Sequence, residues 1–105
     1  MPVLRESAIE RKVVHDVYKK WGIQSVKIKA VGARGWPDRL FLIPGNPPRP
    51  LFIEFKRKGE EAEPLQKYIH KKIRAAGYTV EVIDNYEDAL WVIDIERGLG
   101  ANVHP

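Results

Sequence analysis

The six residues Leu51-Phe52-Ile53-Glu54-Phe55-Lys56 form a β-rich run that is apolar on both faces except for two charges. Glu54 and Lys56 stand two positions apart, so a strand turns both to the same face. Few features constrain a small chain more tightly. With 105 residues the protein has room for one domain, residues 1–105, and a domain of that size buries only roughly 60 to 70% of its unfolded surface. The core is therefore thin, and a charge inside it must be paired or must hold a cation.

Periodicity places the other elements around this run. A first helix is expected from about Ser7, its N-cap, to Trp21, with Gly22 as its stop and Ile9, Val13, Val14, Val17, Tyr18 and Trp21 on one face. Residues 25–31 alternate lysine with apolar side chains and read as a strand with one wet face, followed by a loop over 32–37. Residues 39–43 and 51–56 read as two strands joined by the Pro/Gly/Asn turn at 44–50, hence a hairpin. Pro64 opens a second helix with Leu65, Ile69, Ile73 and Ala76 on one face and Gly77 at its end. A strand over 78–83 leads to a third helix, capped by Asn85 and ending near Gly98. The order is αβββαβα, with a core over about 6–97 and a tail, 98–105, expected to fray.

Composition narrows the chemistry mainly by exclusion. The absence of cysteine removes disulfides, thiolate zinc sites and cysteine nucleophiles. No Gly-x-Ser-x-Gly, Gly-x-x-x-x-Gly-Lys-Ser/Thr or Gly-x-Gly-x-x-Gly motif is present, which disfavours serine hydrolases and the common nucleotide folds. With no export signal and no apolar run near the ~20 residues of a membrane span, a soluble cytoplasmic protein without membrane partners is expected. The net charge of +4 lies entirely between Lys56 and Arg74, where seven Lys/Arg face three acids; elsewhere the signs cancel. Such a segment suits either a polyanion or an ordinary solvated face.

Three acids break their local pattern. Glu54 is one. Asp38 enters an apolar strand and lies near Glu54 if the hairpin forms. Glu10 falls at about 100° on a first helix whose apolar arc runs from about 0 to 180°. Converging carboxylates repel, and a bound Mg²⁺ or Mn²⁺ relieves them. The alternatives are a Glu54/Lys56 ladder pair, an Asp38/Arg39 turn, and an unseen cationic partner or an edgeward reach for Glu10. Gln66 flanks the second helix's apolar face, as a phosphate or carboxylate contact or simply as a solvated side chain. Lys67, Lys71 and Arg74 form a stripe suited to nonspecific phosphate contacts. Trp36 is expected to fold onto the core more readily than to stack on a base. His15, His70 and His104 lack metal-ligand spacing and read as surface residues.

Gly35-Trp36-Pro37-Asp38, followed sixteen residues on by Glu54-Phe55-Lys56, resembles the Pro-Asp … (Asp/Glu)-x-Lys signature of the PD-(D/E)XK nuclease superfamily. The Gly-x-Pro-Asp-Arg form, the upstream Glu10, the downstream Gln66 and the element order make residues 6 to 97 resemble a VRR-NUC domain of the stand-alone phage type. The Glu63-Pro64 opening of the second helix departs from that pattern, where a hydroxyl cap is expected. The resemblance implies a restriction-endonuclease-like α/β core, with a mixed central sheet flanked by helices. It implies Mg²⁺ or Mn²⁺ held by Asp38, Glu54, the Phe55 carbonyl and Glu10, with Lys56 orienting water or stabilising charge and Gln66 assisting. DNA contacts would fall to Arg34, Trp36, Arg57, Lys58, Lys67, Lys71 and Arg74. The implied activity is a structure-specific DNA endonuclease in the bacterial host's cytoplasm, acting as a homodimer on four-way (Holliday) junctions. A flap- or end-processing nuclease and a non-cutting nucleic-acid-binding module are the alternatives.

Overall fold

The computed structural model describes residues 5–29, 32 and 34–101. The elements run α1 (Glu6–Trp21), β1 (Ser25–Lys27), β2 (Arg39–Phe41), β3 (Leu51–Phe55), α2 (Pro64–Ala75), β4 (Thr79–Ile83) and α3 (Tyr86–Ala101), in the αβββαβα order expected. One four-stranded mixed sheet, ordered β1-β2-β3-β4, results: β1, β2 and β3 pair antiparallel, and β4 joins β3 in parallel after the α2 crossover. Among the described residues no helix is long and apolar enough to cross a membrane.

Alternation along β3 divides the molecule. Leu51, Ile53 and Phe55 join Ile9, Val13 and Val17 of α1, and Ala89 and Ile93 of α3, in one buried cluster. Phe52, Glu54 and Lys56 turn the other way, toward α2. The hydrophobic core therefore lies on one face of the sheet, and the charges of the central strand on the other.

Several boundaries move for identifiable reasons. The cap of α1 is Arg5, not Ser7: the Arg5 carbonyl already accepts from Ala8 and Ile9 at 3.0 and 3.1 Å, and no side chain caps the helix. Gly22 ends it as expected, with φ of 69°. β1 is shorter than 25–31; Ile28 still donates to the Asp38 carbonyl at 3.0 Å, while Ala30 and Val31 lie outside the described residues. Glu63 takes the N-cap position of α2 in place of a hydroxyl residue, in a capping box whose other half is Gln66, whose side-chain oxygen accepts the Glu63 N–H at 2.8 Å. Asn85 caps α3 reciprocally with Asp88, at 2.8 and 2.9 Å.

The largest difference is at the end of α3. Gly98 does not stop it, and residues 98–101 are helical rather than frayed. Two contacts hold the C-terminal part of α3: Arg49 Nε donates to Glu96 at 2.7 Å, and Gly100 packs backbone to backbone on the 44–45 turn. Residues 102–105, His104 among them, lie outside the described residues. A Cβ at Gly100 would stand 2.6 Å from the Pro44 carbonyl oxygen, whereas one at Gly98 would meet open space. Gly100→Ala should therefore lower stability by about 1 to 3 kcal/mol, and Gly98→Ala should be neutral or raise it by roughly 0.5 to 1 kcal/mol. Urea midpoints check this; equal effects of the two substitutions would contradict the packing.

Candidate active site

The parallel pairing of β3 with β4 and the antiparallel pairing with β2 bring the ends of three strands together. Asp38, just before β2, accepts the Phe55 backbone N–H through Oδ2 at 2.7 Å, which ties its carboxyl to the end of β3. Glu54 stands beside it, 3% exposed, and Lys56 follows at 7%. The Lys56 N–H donates to the Ile83 carbonyl at 2.8 Å, so the lysine backbone is held by β4.

Burial is the chief reason that the Glu54 carboxyl is pushed up to about 8 from 4.5. The neighbouring Asp38 adds to this twice, by charge repulsion and by sharing a proton, and Lys56 opposes it only through its charge. A ladder pair with Lys56 is thus not what compensates Glu54. Among the described residues its Oε1 has no hydrogen-bond partner. Two close carboxyls and a main-chain strand end fit a hard divalent cation, which completes its shell with water and phosphate oxygens. The donor set is spare: among the described residues no group of three or more His, Cys, Asp or Glu could hold a metal. Such a site depends on main-chain and solvent oxygens for the rest of its shell.

Glu10 is not part of this constellation. It is buried on α1, and its carboxylate accepts from Lys27 Nζ at 2.7 and 2.9 Å and from Arg39 Nε at 2.7 Å. The register Lys27↔Arg39 between β1 and β2 sets the two cations side by side under the helix. This arrangement also dismisses an Asp38/Arg39 turn, since the guanidinium is engaged by Glu10 and by Ser25 Oγ at 3.2 Å. The acid of α1 whose charge reaches Glu54 is Glu6, one turn earlier. Gln66 is likewise committed elsewhere, to the start of α2.

His70, expected at the surface, is 2% exposed and stands with Nε2 3.8 Å from Glu54 Oε1. Burial first, then the charges of Arg74 and Lys56, lower its pKa. The signal was present in the sequence, since His70 lies three residues before Ile73 on the inward side of α2. His15 is exposed as expected, beside Asp16 at 2.9 Å.

The residues expected to touch DNA are dispersed around the site. Arg34, Lys58 and Lys71 are exposed. Arg57 lies 3.8 Å from Glu60 and Lys67 3.5 Å from Glu61, both exposed pairs, and Arg74 donates to the Val80 carbonyl at 2.7 Å. Trp36 is 42% exposed and packs edge-on against Phe52 at 6.4 Å, lining an apolar groove of about 440 Å³ between the sheet and α2. Folding assembles a second basic surface that counting charges along the chain conceals. A groove of about 1330 Å³ between α1 and β1 gathers Arg11, Lys19, Lys27, Lys29 and Arg39 around Glu10.

The raised Glu54 pKa has a thermodynamic consequence in metal-free buffer. Between 4.5 and about 8 the folded state keeps a proton that the unfolded state loses, so stability falls as pH rises through that window. At about 1.4 kcal/mol per unit the loss amounts to roughly a few kcal/mol. Glu54→Gln should remove this slope and melt at or above wild type at the alkaline end. Thermal melts in chelator across the window check it, and a variant melting well below wild type would make Glu54 a structural partner instead.

No family model matches the chain. Among curated proteins it is similar to "Putative nuclease p44" of Acyrthosiphon pisum secondary endosymbiont phage 1, with 37% identity over 87 residues that make up 83% of this chain and 90% of that protein. Among solved structures it is similar to one described as "VRR_NUC domain", with a TM-score of 0.71 at 22% identity, covering 87% of this chain and 97% of the other. The structural likeness is one of fold, and the sequence likeness is one of family. The chain therefore belongs to the family of that phage nuclease, in the VRR-NUC fold.

Proposed function

We propose that the protein is a divalent-metal-dependent DNA endonuclease, with Asp38, Glu54 and Lys56 as its reactive centre. The observation that carries this reading is Glu54: a buried carboxyl set beside a second carboxyl. A purely structural acid in a thin core would be paired, as Glu10 is.

In this reading Asp38 and Glu54, with the Phe55 carbonyl, hold Mg²⁺ or Mn²⁺. When bound, the cation supplies an acidified water and offsets charge on the scissile phosphate. The chain's own residues do the rest. The Phe55 N–H fixes the Asp38 carboxyl in place, so one of its oxygens is already oriented before substrate arrives. Lys56 is a point charge on the same face as Glu54, placed to orient the attacking water or to stabilise a phosphate oxygen as charge builds on it. Hydrolysis then breaks one phosphorus–oxygen bond of the backbone.

DNA as substrate is supported by the basic α1/β1 groove and the basic segment from Lys56 to Arg74, which supply phosphate contacts that position without reading sequence. A branched substrate, specifically the four-way junction, and a homodimer follow from the family's pattern: paired symmetric cuts need two sites related by a two-fold axis. Relatedness to a phage protein favours the host cytoplasm as the place of action.

Labelled four-way junction, flap and linear duplex, each with Mg²⁺, Mn²⁺ or excess chelator, test the reading. Junction cutting should need metal, and Asp38→Ala and Lys56→Ala should each slow it by roughly 10²- to 10³-fold with little change in DNA binding. Cutting in chelator, or full activity in both variants, would overturn the proposal. Preferential cutting of flaps or ends would move only the substrate assignment.

A further inference from the structure

His70 and Glu54 present each other with unpartnered polar atoms on the α2 side of the sheet. Among the described residues His70 Nε2 and Glu54 Oε1 both lack hydrogen-bond partners, and they lie 3.8 Å apart, with the two residues 2% and 3% exposed. Buried polar atoms are nearly always satisfied, so a facing pair of orphans marks an interaction completed in another state of the site. An apolar residue at 70 would extend the stripe of Ile69 and Ile73 and avoid the cost altogether.

We propose that His70 is a positioning residue of this active site, donating from its Nε2–H to Oε1 of ionised Glu54 and so leaving the other carboxylate oxygen to the divalent cation. The inference rests on the metal-site reading above. An anionic Glu54 needs a donor for the oxygen that faces away from the cation. Asp38 is not that donor, since a carboxylate that helps hold the cation is ionised and has no proton to give, and Lys56 makes no hydrogen bond to Glu54 Oε1. His70 Nε2 is the polar atom facing Oε1. A separation of 3.8 Å is too long for a hydrogen bond, and an approach of about 1 Å makes one. Partners that orient a metal-binding carboxylate in this way govern affinity without touching the ion.

Calorimetric titration of the full chain with Mn²⁺, beside thermal melts in chelator, tests this with His70→Leu, which has no donor, and His70→Gln, whose amide offers an N–H near the Nε2 position. His70→Leu should melt no lower than wild type yet bind Mn²⁺ roughly 10- to 100-fold more weakly, and His70→Gln should recover most of that loss. In wild type, ¹⁵N imidazole spectra should show the His70 hydrogen on Nε2, with its resonance moving downfield on adding Mg²⁺. This arm needs no variant and decides the matter if His70→Leu fails to fold. Unchanged Mn²⁺ affinity in a folded His70→Leu, or a hydrogen on Nδ1 at saturating Mg²⁺, would overturn the role of His70 alone. A wild type that binds neither cation would overturn the metal-site reading along with it.

Discussion

Glu54 is 3% exposed near the end of β3, the strand that pairs antiparallel with β2 and parallel with β4, with a second carboxyl against it and, among the described residues, no partner for one of its oxygens. Desolvating a carboxyl and setting it beside another are both unfavourable, and together they hold Glu54 protonated well above the usual carboxylate range. The fold carries this load because β3 is paired on both sides, by β2 and β4, and its opposite face is dry. A divalent cation reverses the sign of the arrangement: the same two carboxyls that destabilise each other become the reason that it binds.

The two faces of the sheet thus do different work. On the α1/α3 face, Ile53, Phe55, Val13 and Ile93 form the apolar core, and the one acid among them, Glu10, is fully engaged by Lys27 and Arg39. These ion pairs fix α1 to the β1–β2 edge, and removing both cations would leave the buried Glu10 carboxylate uncompensated. On the α2 face, the Asp38 carboxyl and the Lys56 backbone are held by main-chain bonds, while Glu54 and His70 face each other with atoms that have no partner among the described residues. Stability is built on one side of the sheet, so the other can keep an unfavourable cluster of charges.

Where local chemistry decides, the residues are legible in sequence. Gly22 as a helix stop, Asn85 as a cap, the hairpin across the 44–50 turn and the charge interrupting Leu51–Phe55 all follow from spacing and conformational preference. Glu10 marks the limit of that reasoning. Its misplacement on an apolar arc is visible, but the choice between a metal and a cationic partner rests on the Lys27↔Arg39 register, a pairing no local pattern encodes. Gly100 is similar, since its close approach to the 44–45 turn is a tertiary contact that overrides glycine's poor helix propensity. His70 differs: its place three residues before Ile73 puts it on the inward side of α2, and only its residue type points to the surface. The basic α1/β1 groove arises only when residues far apart in the chain converge.

The direct test of this account is the titration of the Glu54 side-chain carboxyl itself, followed by ¹³C NMR with and without Mg²⁺. Without metal it should lose its proton near 8, and saturating Mg²⁺ should bring the transition down into or below the ordinary carboxylate range, since a bound cation favours the charged form. A carboxyl that titrates near 4.5 without metal, or one that Mg²⁺ leaves unmoved, would contradict the claim that Glu54 is held in readiness for a cation.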